Sequence, residues 1–413
     1  MNYDFDQVIA RRGSNSDKWD FYPADVLPLW VADMDFPAPE PILAALRARV
    51  AHGIFGYEAP PKKLLEVVAR RMERLYGWHV TPEMVVLTPG VISGVNLAAR
   101  VTCQPGDGIL IQTPVYPPFL GVHEKVGLVR QLALLAQYPA GGAQVDNEHT
   151  LHYEVDFDSF EAALNSGRAR TRLFLLCQPH NPTGQVYSRE QLTRMAEICL
   201  KNDTFICSDE IHSELLLGGA QHIPLATLGA EIATRTITLV APSKTFNVPG
   251  LYCGCAVIPA DELRQRFKKE VERLTFHISS LGMVAAQAAF SGECDDWLAD
   301  LCRYLTANRD YSVEFVKNNL PGIRTTVPDA TYLAWLDCND LLESGRISGS
   351  AHEFFLHKAK VALNDGATFG PGGEGFVRLN FGCPRATLVE ALERMKAALN
   401  AVSSFFPVST VHL

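Results

Sequence analysis

The chain has 413 residues, of which 47% are hydrophobic, enough for a well-buried core and for more than one domain. Its net charge is −9 and its pI about 5.8, and lysines and arginines are scattered along the chain, which argues against nucleic-acid binding. The first residues, MNYDFDQVIARRG, lack the apolar segment of a secretory signal, and no apolar run approaches the roughly 20 residues of a membrane helix. We therefore expect a cytoplasmic protein with no membrane partner.

Ten cysteines extend from Cys103 to Cys383 without a C-x-x-C pair. This spacing lacks the signature of a structural zinc site, and we predict no bound metal. We expect all ten thiols to be reduced, and most of them to be small buried residues, as in proteins of a reducing compartment.

The order of predicted elements indicates an α/β fold with three parts. Residues 1–40, with four prolines between 23 and 39, are predicted to form an irregular N-terminal arm. An amphipathic helix at 63–76 precedes an alternation of helices with apolar strands, which predicts a three-layer large domain over 41–284 with a mainly parallel sheet. The strands are predicted at 84–87, 109–112, 129–134, 173–177, 204–208, 236–240 and 254–258.

The pattern changes after about residue 284. Residues 285–319 are largely helical in character, 322–327 and 332–337 resemble strands, and Thr387 is predicted to cap a last helix that runs to about Val402. This predicts a smaller α+β domain over 285–413, against which the N-terminal arm packs.

Three polar residues follow predicted strands in succession: Asn181 in Asn-Pro-Thr-Gly, then Asp209, then Lys244 in Ser-Lys-Thr. Ligands of open α/β sheets bind at the carboxyl ends of the strands, so one site is expected to contain all three. A lysine that forms a Schiff base and a carboxylate that keeps a pyridine nitrogen protonated are the two groups that pyridoxal 5′-phosphate requires. We therefore predict that pyridoxal 5′-phosphate is the cofactor.

Each of these residues also has an ordinary structural explanation. Lys244 alone fits an exposed lysine near a turn, Asp209 an N-cap, and Asn181 a simple turn. Their combination favours chemistry instead. Lys244 then holds the cofactor and, once substrate has displaced it, removes the α-proton, provided that its pKa is lowered. Asp209 faces the ring nitrogen, and Asn181 donates to the ring oxygen.

Two further residues leave alternatives open. His212 fits either a core histidine or a residue that supports Asp209 from behind. Tyr116, in Tyr-Pro-Pro-Phe, fits either an aromatic that stacks on the pyridine ring or a core aromatic beside a rigid turn.

Two anion sites are predicted from local patterns. Backbone N–H groups at the start of the helix that begins at Val91 and Ile92 form a candidate phosphate site, to which Ser243 adds a hydroxyl, although strand-to-helix turns with glycine are common. Arg378 alternates with apolar residues on a short strand and needs an anionic partner. That partner is either a substrate carboxylate, bound by the guanidinium fork, or an internal acid.

Over essentially its whole length the chain resembles the fold-type I pyridoxal-phosphate enzymes of the aminotransferase class I/II group. More narrowly it is similar to the cystathionine β-lyases (cysteine-S-conjugate β-lyases) of the MalY/PatB type. The motifs that carry the resemblance are LWVADMDF at 29–36, IFGY at 54–57, YPPF at 116–119, SDEIH at 208–212 and FGPGGEGFVRLNF at 369–381.

The resemblance implies a Schiff base at Lys244, Asp209 on the ring nitrogen, Asn181 on the ring oxygen and Tyr116 over the ring. It also implies that Val91 and Ile92 bind the phosphate, that Arg378 binds the substrate carboxylate, and that Trp30, Ala32 and Asp33 line the substrate entrance. Tyr57 is implied to reach the phosphate of the neighbouring subunit, so the active unit would be a homodimer with shared active sites.

The implied reaction is β-elimination from L-cystathionine or another S-substituted L-cysteine, with pyruvate, ammonia and a thiol as products. The alternative is an aminotransferase of an L-amino acid, which uses the same groups. The chain departs from many relatives at several positions: Ala241 stands in place of a serine, Tyr252 in place of a phosphate-binding arginine, and Tyr187 in place of a tryptophan. Val248-Pro249 after Asn247 is also unusual. A regulator that only retains the fold is disfavoured because Lys244, Asp209 and Arg378 are all present.

Overall fold

The computed structural model describes residues 3–139, 149–167, 169–274 and 277–403. The helices are α1 Asp17–Asp20, α2 Glu40–His52, α3 Lys62–Tyr76, α4 Val91–Thr102, α5 Pro117–Leu120, α6 Val122–Val126, α7 Phe157–Leu164, α8 Arg189–Lys201, α9 Ala230–Thr234, α10 Pro242–Thr245, α11 Asp261–Arg273, α12 Ser280–Phe290, α13 Asp295–Asn319, α14 Asn339–Glu343, α15 Ala351–Phe354 and α16 Arg385–Ser403. Short 3-10 turns lie at Pro82–Met84, Leu225–Thr227, Pro249–Leu251 and Gly366–Phe369, and a π-helical turn at Phe355–Ala359.

The strands are β1 Leu27–Pro28, β2 Val85–Thr88, β3 Gly108–Thr113, β4 Val129–Leu134, β5 Ala136–Pro139, β6 Thr150–Glu154, β7 Thr171–Cys177, β8 Phe205–Asp209, β9 Thr236–Val240, β10 Gly254–Val257, β11 Arg324–Thr326, β12 Leu333–Asp337, β13 Val361–Ala362, β14 Asn364–Asp365 and β15 Phe376–Asn380.

A seven-stranded sheet forms the centre of the larger part, in the order β2-β10-β9-β8-β7-β3-β4. Strand β10 pairs antiparallel with both of its neighbours, and the remaining pairs are parallel, which confirms the predicted α/β fold with a mainly parallel sheet. Its central strands are apolar because both faces are covered. Ile109 and Ile111 of β3 face one core with α4 and α11, while Leu110 faces the other core with α7 and α8. The sheet and the helices on each of its two faces therefore form three layers.

A six-stranded sheet, in the order β14-β15-β12-β11-β6-β5, forms the smaller part. Strands β5 and β6 lie between 136 and 154, far upstream of the C-terminal strands, and β6 pairs in parallel with β11. We propose that residues 41–284 form the large domain and residues 285–413 the small domain. Strands β5 and β6 are an exception, because they belong to the large domain by sequence but extend the sheet of the small domain.

The N-terminal arm is held against the C-terminal part of the chain. Strand β1 pairs in parallel with β13, and the Phe5 ring packs on Phe36 and Trp297 at centroid distances of 5.1 and 5.8 Å. The arm also contains α1, so it is more ordered than the prolines indicated. These contacts bring residues 30–36 to the junction between the two sheets.

Several details differ from the sequence predictions. Helix α2 was not predicted, because its apolar residues follow no strong amphipathic pattern and its start has no side-chain cap. Helix α16 begins at Arg385, so Thr387 lies inside its first turn, and the predicted cap there was wrong. All ten cysteines are free, and nine of them are buried. Within the described ranges, no helix has the length and apolar character needed to cross a membrane.

Candidate active site

The predicted chemical residues meet at the carboxyl edge of the seven-stranded sheet. Asp209 is the last residue of β8, Asn181 follows β7, and Lys244 lies in the short helix α10 directly after β9. Because β7, β8 and β9 are adjacent and parallel, their ends converge on one cavity of about 260 Å³. The cavity is lined by Ala32, Pro89, Gly90, Val91, Ile92, Ser93, Tyr116, Cys177, Asn181, Asp209, Ile211, His212, Ser243, Lys244, Pro249, Tyr252 and Cys253.

The amine of Lys244 points at a backbone oxygen. Its Nζ donates to the carbonyl of Ala32 at 2.6 Å, and the hydroxyl of Tyr332 donates to the same carbonyl at 2.8 Å. Burial of the side chain, followed by the positive charge of Arg378, lowers the pKa of Lys244 to about 8, against the opposing effects of Asp33 and Asp209. Near pH 7 the neutral fraction of this amine is therefore far larger than that of an ordinary lysine.

Asp209 is a buried carboxylate that has no cationic partner among the described ion pairs. It accepts a hydrogen bond from the backbone N–H of Ile211 at 3.1 Å, and burial raises its pKa to about 7. The ionised form of a buried acid of this kind is stabilised by a neighbouring cation that also donates a hydrogen bond to it. A protonated pyridine nitrogen supplies both.

His212 and Tyr116 both line this cavity, and no described hydrogen bond joins His212 to the carboxylate of Asp209. His212 is buried, its Nδ1 has no hydrogen-bond partner in the described structure, and burial lowers its pKa to about 3, so the ring is neutral. The Tyr116 ring lies at the cavity wall, and burial raises the pKa of its hydroxyl. Both rings therefore present neutral surfaces to a ligand.

The candidate phosphate site predicted from the sequence lies at the start of α4, on the cavity wall. Gly90 is its N-cap with φ +127°, a conformation that favours glycine, and the N–H groups of Val91 and Ile92 follow at the mouth of the 12-residue helix. Ser243 lies on the same cavity wall. Tyr252, which also lines the cavity, is 66% exposed and has φ +47°, uncommon for a tyrosine.

Arg378 is 3% exposed and is held by neutral oxygens. Its Nη1 donates to Oδ1 of Asn181 at 3.0 Å, and its Nη2 donates to Oδ1 of Asn364 at 2.5 Å and to the carbonyl of Trp30 at 3.0 Å. Its Nε has no partner in the described structure, and no acid of the described residues pairs with it. Burial lowers the pKa of Arg378 to about 10, and a bound anionic ligand would raise that pKa again. The internal acid that the sequence left open is thus not observed.

Four predicted residues lie outside the cavity wall: Arg378, Asp33, Trp30 and Tyr57. The carboxylate of Asp33 is paired with Arg11 at 2.7 Å, and Trp30 contributes its carbonyl to Arg378 while its ring packs on Phe21 at 5.2 Å. Of the predicted entrance residues, Ala32 lines the cavity. Tyr57 is fully exposed and lies 6.4 Å from the ring of His277, at a separate cavity of about 650 Å³.

Other residues of the site were not identified from the sequence. Asn364 sits on a two-residue strand, Tyr332 precedes β12, and Cys177, at the end of β7, accepts the N–H of Asn181 at 3.4 Å through its Sγ. Short elements show no periodic pattern of apolar residues from which their polar residues could be predicted. Asn364 lies opposite Arg378 in the β14–β15 ladder, so its position could be predicted only if the pairing of these two strands were known. No metal-binding cluster of histidine, cysteine or acidic residues occurs in the described parts of the chain.

The donor set fits pyridoxal 5′-phosphate: an amine of lowered pKa, a buried acid that lacks a cation, an amide, neutral rings and a helix N-terminus occupy one cavity. An aldehyde, a ring nitrogen, a ring oxygen and a phosphate are the complementary groups on that cofactor.

Comparison with known proteins agrees with this geometry. Cystathionine beta-lyase PatB of Bacillus subtilis is 39% identical over 402 residues, which cover 96% of this chain and 100% of the relative. Cystalysin from Treponema denticola, whose crystal structure contains a pyridoxal 5′-phosphate cofactor, has a TM-score of 0.89 and 30% identity over 97% of this chain and 100% of its own. The PLP-bound C-S lyase from Staphylococcus hominis has a TM-score of 0.87 and 31% identity over 97% of this chain and 98% of its own.

Residues 24–395 match the family of class I and II aminotransferases, which spans both domains. The resemblance found in the sequence is therefore confirmed, for the family and for its carbon–sulfur lyase relatives. This chain belongs to the aminotransferase class I and II family.

Proposed function

We propose that this chain is a pyridoxal 5′-phosphate-dependent carbon–sulfur β-lyase that cleaves L-cystathionine or other S-substituted L-cysteines to pyruvate, ammonia and a thiol. Similarity to cystathionine beta-lyases and C-S lyases supports the lyase reaction, and the shared environment of Lys244 and Arg378 supports an L-amino-acid substrate. An amine of lowered pKa and a buried arginine that has no acid partner in the described structure influence each other electrostatically. A base and a carboxylate site at close range suit an L-amino acid.

The cofactor would be held by five features of the chain. Lys244 would bind its aldehyde carbon, Asp209 its ring nitrogen and Asn181 its ring oxygen, while Tyr116 would cover the ring and the start of α4 its phosphate. When bound, pyridoxal 5′-phosphate supplies an electron sink for the pair left behind when the α-proton departs.

The residues themselves perform the remaining steps. Arg378 binds the substrate carboxylate through its guanidinium fork and so fixes the α-carbon relative to Lys244. Lys244, displaced by the substrate amine, takes the α-proton at Nζ, and the Ala32 carbonyl accepts a hydrogen bond from the ammonium that forms. Departure of the β-thiolate then requires a leaving group on the substrate, which is why thioethers of cysteine are the proposed class.

A homodimer with shared active sites belongs to this proposal. The segment at 54–57 exposes Ile54, Phe55 and Tyr57, an apolar and aromatic stretch that would be costly to leave in water. We assign the cofactor phosphate of the partner subunit as the target of Tyr57. A cytoplasmic location is also part of the proposal, and the ten free cysteines support a reducing compartment.

The test is incubation of the purified, cofactor-loaded enzyme with L-cystathionine in the absence of a keto acid, with pyruvate and free thiol measured together. Equal release of both products is expected. Lys244→Ala should abolish it, and Lys201→Ala, which removes an exposed lysine at the opposite end of the sheet, should leave it intact.

The aminotransferase alternative predicts a different pattern. In that case thiol is not released, and turnover begins when an amino acceptor such as a 2-keto acid is added. That result would move the assignment from lyase to transferase while leaving the cofactor site as proposed.

A further inference from the structure

The segment from Trp30 to Phe36, called the strap here, contributes Ala32 to the cavity wall and is irregular chain that is tied down along its length. The carbonyl oxygens of Trp30, Val31, Ala32, Asp33, Met34 and Phe36 all accept side-chain hydrogen bonds. Arg378, Asn380, Lys244 and Asn247 donate these bonds, and Tyr332, Lys18 and Arg11 donate further bonds to the carbonyls of Ala32, Asp33 and Met34. A loop held this completely is a positioned part of the site and not a mobile cover.

Asn380 holds the strap on both sides of the residue that faces the catalytic lysine. Its Nδ2 donates to the carbonyl of Val31 at 2.6 Å and to the carbonyl of Asp33 at 2.7 Å. Its Oδ1 accepts the N–H of Gly382 at 2.7 Å, which fixes the orientation of the carboxamide. The side chain is 1% exposed, so these bonds are shielded from competition by water.

Ala32, between the two anchored carbonyls, contributes the oxygen to which Lys244 donates at 2.6 Å. Asn380 therefore fixes the peptide groups on both sides of Ala32, whose own carbonyl accepts from Lys244 and from the hydroxyl of Tyr332.

We propose that Asn380 is a positioning residue for the proton transfer at Lys244: by anchoring Val31 and Asp33 it holds the Ala32 carbonyl where that oxygen orients the lysine amine. This inference rests on the proposed role of Lys244 in taking the α-proton. It goes beyond the residues that would touch cofactor or substrate, because Asn380 contacts the strap and does not line the cavity.

The middle and the last residue of β15 then serve different steps. Arg378 and Asn380 are two residues apart and project from the same face of β15, one towards the carboxylate site and one towards the strap. Removal of the Asn380 carboxamide should therefore slow proton transfer and leave substrate affinity nearly unchanged.

The test uses L-alanine, which has the amino and carboxylate groups of the substrate but no leaving group. The cofactor-loaded enzyme is placed in heavy water, and exchange of the α-proton for deuterium is followed by proton NMR over a range of alanine concentrations. We expect Asn380→Ala to lower the maximal exchange rate by about 10- to 100-fold, with the half-saturating alanine concentration within about twofold of the unaltered enzyme.

Asn339→Ala is the matched control. Asn339 follows β12 in the same sheet, and its Nδ2 also donates two hydrogen bonds, to Oδ1 of Asp337 at 2.8 Å and to the carbonyl of Glu374 at 3.2 Å, but neither partner belongs to the strap. The Asn339→Ala variant should exchange the α-proton of alanine at the same rate as the unaltered enzyme. If Asn380→Ala fails to fold, Asn380→Ser, whose hydroxyl can donate to one of the two carbonyls, should show an intermediate loss.

Two results would contradict the inference in distinguishable ways. Equal maximal exchange rates in loaded Asn380→Ala and unaltered enzyme, or a loss confined to alanine affinity, would overturn the role of Asn380 alone. Absence of exchange in the unaltered enzyme would overturn the proposed function as well, because α-proton removal precedes every outcome considered for this site.

Discussion

Asn181 and Arg378 lie 197 residues apart, and they meet in a buried hydrogen bond of 3.0 Å between Oδ1 of the first and Nη1 of the second. Asn181 follows β7 of the large sheet and Arg378 lies on β15 of the smaller one, so this contact joins the two sheets inside the active site. The guanidinium receives a neutral acceptor and keeps its full charge for an anion. The position of a substrate carboxylate is thereby linked to that of the proposed cofactor ring.

Arg378→Lys should lower kcat/KM for a cysteine thioether by about 100-fold, mostly through KM. An ammonium cannot hold a carboxylate with two parallel bonds, and it cannot reach Asn181, Asn364 and the Trp30 carbonyl together. Steady-state thiol release checks this. Arg324→Lys, in β11 of the same sheet and 31% exposed, is the control and should retain normal KM. A normal KM in Arg378→Lys would place the carboxylate site elsewhere.

Asn364→Asp should raise KM by roughly tenfold with little change in kcat. Asn364 accepts from Nη2 of Arg378 at 2.5 Å, and a carboxylate there would pair with the guanidinium and compete with the substrate. The effect should be larger than that of Asn364→Ala, which removes an acceptor but adds no charge. The opposite order of the two KM values would show that the hydrogen bond, and not the neutrality of Asn364, is what matters.

The sequence predicted the part of the site that depends on parallel strands. Asn181, Asp209 and Lys244 each follow a continuous apolar run, and such runs become adjacent buried strands whose ends converge. Arg378 was found because an arginine between apolar neighbours needs an anion. The family resemblance supplied the roles, and for Asp209 and Lys244 the structure adds the burial and charges that shift their pKa values.

The remaining features depend on contacts between distant segments. The carbonyl of Ala32 acts through a backbone atom, which no residue pattern reveals, and its orientation depends on Asn380, 348 positions later by sequence number. Strands β5 and β6 join the smaller sheet although they interrupt the run of large-domain elements. Asp33 was predicted at the entrance from its motif, but Arg11 and Lys18 pair with it within the arm.

The rate at which the cofactor-free protein captures pyridoxal 5′-phosphate should rise about tenfold per pH unit and level off above pH about 8. Capture requires neutral Lys244, and burial together with Arg378 lowers the pKa of that amine from 10.5 to about 8. Stopped-flow absorbance at each pH measures the rate. Arg378→Met removes one of the two causes, so its midpoint should move to higher pH. A rate that still rises steeply through pH 10 would mean that Lys244 has an ordinary pKa.

A buried ion cluster outside the active site should control stability. The Arg71 side chain is fully buried on α3, where it pairs with Glu214 and with Asp295 at the start of α13. Burial opposes its charge, but the two acids outweigh that effect and raise the pKa of Arg71. Glu214→Ala would leave a buried guanidinium without its bidentate partner, and we expect the free energy of unfolding to fall by about 3–5 kcal/mol.

Urea titration of the loaded enzyme measures this change. Arg74→Ala is the control, since Arg74 pairs with the same Asp295 but is 48% exposed, and its loss should cost less than about 1 kcal/mol. The double variant Arg71→Met with Glu214→Leu removes both buried charges, so it should recover much of the stability lost in Glu214→Ala. If the double variant is instead the less stable of the two, the cluster stabilises the junction of α3 and α13 through its charges, and the isolated guanidinium is not the main cost.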